Sequence, residues 1–161
     1  MAEQQEASKD AVMTRIGQAI MLLHGGDREE ARNRFGAIWS EIGEEGDALH
    51  RCTLAHYMAD TQDDPGDELA WDLRALTAAE GLSGEPVAEH RDATAVRAFF
   101  PSLHLNLAAD YLKLQRPESA RIHLDRAWDA AGVLGDDGYG GGVRAAIGRL
   151  EQRMRGSAAG E

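Results

Sequence analysis

Cys52, His56 and Asp60 stand four residues apart in succession, a spacing that puts all three on one face of a helix. Thiolate, imidazole and carboxylate are all ligand types that zinc accepts, and His104 or His123 would supply a fourth. The plainer reading is that a lone cysteine and scattered histidines pack into a core or line a groove. The chain has no paired-cysteine motif and no HExxH to favour the metal. Both uses of Cys52, His56 and Asp60 stay open here: a metal-binding or enzymatic centre, or the wall of a groove.

Other chemistry is harder to find. Gly135 to Gly142 (GDDGYGGG) is rich in glycine, but it lacks the GK[ST] ending of a phosphate loop and follows a helix rather than a strand. Its paired aspartates would repel phosphate, so it reads as a flexible connector. The acidic run Asp60 to Glu68 lacks the ligand order of a calcium loop and is better suited to helix capping. No nucleophile elbow or Ser-His-Asp order is present. The expectation is therefore a protein with no catalytic residue and no cofactor.

The elements that carry these residues are helical throughout. Apolar residues recur at helical spacing from Lys9 to His24, closed by Gly25-Gly26. Asp27 then caps a second helix to about Gly43, with Glu30 placed for a capping box. A third runs from Ala48 to Thr61. Asp64-Pro65 opens a fourth, to about Glu80, that should bury Leu69, Leu73 and Leu76. After an ambiguous stretch, a fifth begins at Ala98 or Pro101, with an extra turn from Ala93 at most, and ends at Leu114. A sixth spans Pro117 to Ala131, and a last amphipathic helix Val143 to Met154. Residues 1–8 and 156–161 read as disordered ends of a single domain over 9–155.

Composition sets the outer limits. The net charge of −11 argues against nucleic acid, whose phosphates demand clustered Lys and Arg. No run approaches the length of apolar residues a membrane helix needs. The first residues lack the basic flank and apolar core of a signal peptide. With one cysteine there is no intrachain disulfide, and a reducing, cytoplasmic setting is expected.

An internal echo then suggests the architecture. Ala31-Arg32-Asn33-Arg34-Phe35-Gly36-Ala37-Ile38-Trp39 matches Ala120-Arg121-Ile122-His123-Leu124-Asp125-Arg126-Ala127-Trp128 at its small, large apolar and Trp positions. The helix pairs resemble tetratricopeptide repeats. Ala19, Leu22, Ala31, Phe35 and Ile38 carry the likeness in a first repeat (9–43). Leu54, Ala55, Met58, Leu69, Leu73 and Leu76 carry it in a second (45–80). Leu107, Ala108, Tyr111, Ala120, Leu124 and Ala127 carry it in a third (98–131). An insertion, 81–97, separates the last two, and residues 143–155 would cap the array. The signature Trp and Gly of the family's first helix are replaced in repeat one by Arg15 and Ala19.

The resemblance implies an all-α, right-handed superhelix whose first helices line a concave groove. On this chain the groove would show Ile16, Ile20, Leu23 and His24, then Leu49, Cys52, His56 and Asp60, then Leu105, Asn106, Ala109, Leu112 and Lys113. It implies a non-catalytic adaptor or regulator that binds a partner peptide or helix, or a second copy of the chain. Its N-terminal part is apolar, and such a patch asks for cover. A partner helix is one candidate. The other is the chain's own segment 81–97, folded back with Phe99 and Phe100 beyond it.

Overall fold

The computed structural model describes the backbone of residues 2–83, 90–132, 134–135 and 137–159, and side chains within 11–81, 98–132, 134–135 and 137–156. Among the described residues there are seven helices and no strand. They are α1 (Ala2–His24), α2 (Arg28–Ile42), α3 (Ala48–Ala59), α4 (Pro65–Ser83), α5 (His90–Lys113), α6 (Pro117–Ala131) and α7 (Gly138–Ala159).

The helix starts are written locally. Asp27 accepts from the Glu30 amide at 3.4 Å, and Asp47 accepts from Leu49 and His50 at 3.0 and 3.2 Å. Asp64 accepts from the Asp67 amide at 3.0 Å, with Pro65 at the first helical position. Each aspartate satisfies amides that the helix leaves without a partner. Gly26, at φ +95°, turns the chain out of α1, and Gln115, at φ +60°, performs the same left-handed turn after α5.

Several ends differ from the sequence expectation. Helix α1 begins at Ala2 rather than after residue 8, and α7 extends through Ala159, into the expected tail. Residues 81–83 prolong α4 and residues 90–97 prolong α5, while 84–89 lie outside the described residues. Pro101 therefore sits inside α5 instead of opening it. A proline there removes one backbone hydrogen bond, and burial offsets the loss: Phe99, Phe100 and Leu103 all pack into the core beside it. The glycine-rich connector is shorter than it reads, because Asp137 accepts from the Gly140 amide at 2.8 Å and starts α7 there. A side chain at Gly140 would collide with the Gly135 carbonyl.

Consecutive helices pair as hairpins α1/α2, α3/α4 and α5/α6, and α7 closes the last of them. The odd-numbered helices also touch one another in sequence, and α2 meets α4 through Trp39 and Trp71. Three clusters fill the interior. Ile16, Ala19, Phe35, Ile38 and Leu54 join α1, α2 and α3. Cys52, Ala55, Ala75, Ala79 and Leu103 join α3, α4 and α5. Leu124, Ala127, Val143, Ile147 and Leu150 join α6 and α7 to α5. Trp39 meets Trp71 edge-on at 5.1 Å and carries the Arg51 guanidinium on its face at 4.2 Å.

The repeated small and large apolar positions are buried in both copies of the echo, but Trp128 is 37% exposed. Helix α4 departs further. Leu73 is exposed, and the stripe that faces inward is Asp72, Ala75, Leu76 and Ala79. Leu124→Ala should cost about 2–5 kcal/mol, while Ile122→Ala, two residues away and half exposed, should cost less than about 1 kcal/mol. Denaturant unfolding of the two variants checks this.

Candidate functional site

The expected groove residues divide into three groups. Ile16 and Cys52 are fully buried in the core and offer no surface. The cause at Cys52 is the long α5: Phe99, Phe100 and Leu103 lie against the same cluster, so the chain itself covers that face of α3. Burial pushes the Cys52 thiol up to about 12, which makes it an inert thiol and not a ready metal ligand. Ile20 and Leu23 are half-buried against the first cluster, and Leu49 packs beside Trp39 and Trp71. His24 is exposed.

A second group forms an open groove. His56 and Asp60, at the end of α3, face Tyr139 and Val143 of α7 across Leu105 and Asn106 of α5, around a cleft of about 410 Å3. The groove continues past Ala109 and Ala146 to Arg149 and Arg153, with a further volume of about 770 Å3. The Tyr139 hydroxyl donates to the Ala98 carbonyl at 3.1 Å, so the start of α7 is fastened to α5. Leu112 turns away from this groove, toward Ile122 and Met154.

The third group is polar and leads inward. Asn106 Nδ2 lies 3.4 Å from His56 Nδ1, and the His56 ring is edge-on to Tyr57 and Phe99. Burial pushes His56 down to about 4, so its imidazole is neutral. Lys113 donates to both oxygens of Glu68, at 3.1 and 3.2 Å.

Behind Lys113 stand two residues that the sequence reading missed. Asp72 is 1% exposed and Asp110 fully buried. With Glu68 they bring one carboxylate oxygen each within 4.8 Å of one another. Both aspartates sit well above the usual carboxylate range. For Asp72 the cause is burial, which Asp110 and Asn106 partly offset and the charges of Asp60 and Glu68 reinforce. For Asp110 it is burial and then its place as proton donor toward Asp72 and Glu68. Among the described residues this is the group of metal-ligand type that converges. Cys52, His56 and Asp60 do not form such a group, so the geometry lends nothing to the metal alternative for them. Cys52 faces the core while Asp60 faces the cleft.

His104 and His123 form a fourth feature. Their Nδ1 atoms are 3.1 Å apart and their rings stack, with Phe100 beyond one and Tyr111 beyond the other. One ring must donate and the other accept. Burial, then the proximity of His123 and Arg126, pushes His104 down to about 4. Neither histidine joins Cys52 as a fourth ligand.

No family model, curated protein or solved structure matches the chain. The site therefore rests on its own geometry.

His56 and His104 both bind a proton less readily when folded than when unfolded. Their neutral forms hold their full benefit above the unfolded value near 6.5, and it is lost as pH falls toward 4. Thermal unfolding between pH 7 and pH 4 should show this loss. The double variant His56→Gln, His104→Gln should lose less stability than the parent over that interval.

Proposed function

We propose that the protein is a non-catalytic interaction module of tetratricopeptide type. A peptide or helix from a protein partner lies along the groove between α3, α5 and α7. The observation that carries this reading is the groove itself, open along its length and walled by three consecutive odd-numbered helices. Such an alternation, one set of helices inside and the other behind, is what stacked hairpins present to a partner.

The wall has a polarity. Asp60, with Glu68 near it, makes one end acidic, and Arg149 and Arg153 make the other basic. Between them lie Leu105, Ala109 and Ala146, apolar surface for alternate side chains of a bound segment, with the Asn106 amide beside them. A partner segment with a cationic end and an acidic end is held in one direction, and the overall charge of −11 favours a partner with basic residues. The chemistry around the wall favours binding over turnover. Cys52 points into the core as a thiol, and His56 faces an amide, not a nucleophile. A cytoplasmic setting accords with that buried thiol, and no described helix is long and apolar enough to cross a membrane. A second copy of the chain is the alternative occupant.

A photo-crosslinking side chain at Arg149, in the groove, should capture one discrete adduct in the native host. The same group at Thr77, exposed on α4, should not. Ala146→Trp, which fills the shared section of the groove, should weaken the Arg149 adduct roughly ten-fold or more. Equal capture at Thr77, or an adduct unaffected by Ala146→Trp, contradicts the reading. An adduct of twice the chain mass assigns the groove to self-association.

A further inference from the structure

We propose that Glu68, Asp72 and Asp110 form a binding site for one divalent cation of the oxygen-preferring class. Glu68 and Asp72 lie one turn apart on α4, and Asp110 reaches them from α5.

The first support is distance. Ligands on opposite sides of a calcium ion stand at most roughly 4.6–5.2 Å apart, twice the metal–oxygen distance. The three carboxylate oxygens already lie within 4.8 Å of one another. The second support is independent of proximity. Neither oxygen of Asp110, nor Oδ1 of Asp72, receives a hydrogen bond from any donor among the described residues, although all three atoms are fully buried. Buried acceptors left in this state are costly, and nearly all native ones find a partner. A proton shared between Asp110 and Asp72 serves one oxygen of each, and the other Asp110 oxygen then needs a second proton, shared with Glu68. A cation serves all three.

Charge gives the third support. Three carboxylates beside one lysine carry a surplus of two negative charges, which either two protons or one divalent cation neutralises. The two states exchange through Glu68 and Lys113. The Glu68 side chain is 20% exposed and that of Lys113 is 52% exposed, so the lysine can leave Glu68 and open a route inward.

The donor set decides the class of ion. It is all carboxylate, with no thiolate or imidazole in the group, which suits calcium, manganese or magnesium more than zinc or copper. Magnesium gives up its water reluctantly, and two of these ligands are dry. Calcium and manganese fit best.

The test uses the full chain after treatment with a chelator. Calcium, manganese, magnesium and zinc salts are each titrated by calorimetry at pH 6.5. Saturable binding of calcium or manganese at one ion per chain is expected, with zinc weaker. Melting temperature should rise with the ion. Asp110→Asn and, separately, Glu68→Gln should each weaken binding by at least roughly 10–100-fold while circular dichroism stays helical. The Glu68 variant leaves the buried pair intact, so it remains informative if the Asp110 variant folds poorly. Absence of saturable binding to the parent, or equal affinity in Glu68→Gln, overturns the proposal.

Discussion

Taking a carboxylate out of water costs more than most single packing contacts return, and α4 and α5 do this twice where they meet. Asp72 and Asp110 are buried, with each other, Glu68 and Asn106 at hand. An interior of that kind is tolerated only when the charge is removed, by a proton or by an ion. Much of the surrounding architecture serves this condition. Ala75 and Ala79 on α4 are small and fully buried against Leu103 of α5, so bulk on α4 does not hold the two helices apart. Lys113 covers the outer edge by holding Glu68.

The same condition links interior and surface. Asn106 lies beside Asp72 on one side and His56 on the other, and His56 and Asn106 are part of the groove wall. Lys113 is both the cover of the carboxylates and a side chain at the edge of α5. A change in the charge of the buried group therefore acts on residues that a bound segment would touch. The groove and the carboxylates are two readings of one structural region, and each can be tested without the other.

The fold was largely legible in the chain. Aspartates at positions 27, 47 and 64 mark helix starts with their own side chains, and the buried stripe of α6, Ala120, Leu124 and Ala127, follows the helical period. Local chemistry and periodicity suffice for such features. Start of α5 was not legible, because Pro101 argues locally for a first turn and only tertiary burial of Phe99, Phe100 and Leu103 overrules it. That override also removed Cys52 from the expected groove.

The carboxylate site was illegible for a related reason. Leu69 and Leu73 offer α4 an apolar face, and a reader assigns Asp72 to solvent beside them. In the fold the helix is turned so that Leu73 is exposed and Asp72 is buried. The signal was present in α5 as well: Leu103, Leu107 and Asp110 follow one helical stripe, with an acid in its third place. Such an acid has to be neutral or paired, and a periodicity argument alone does not ask which. Asp110 tests the account most directly. Its side-chain carboxyl carbon can be followed by NMR against pH in chelator-treated protein. The account predicts that Asp110 remains protonated at pH 7, where exposed aspartates have ionised. Titration of Asp110 in the ordinary carboxylate range would contradict it.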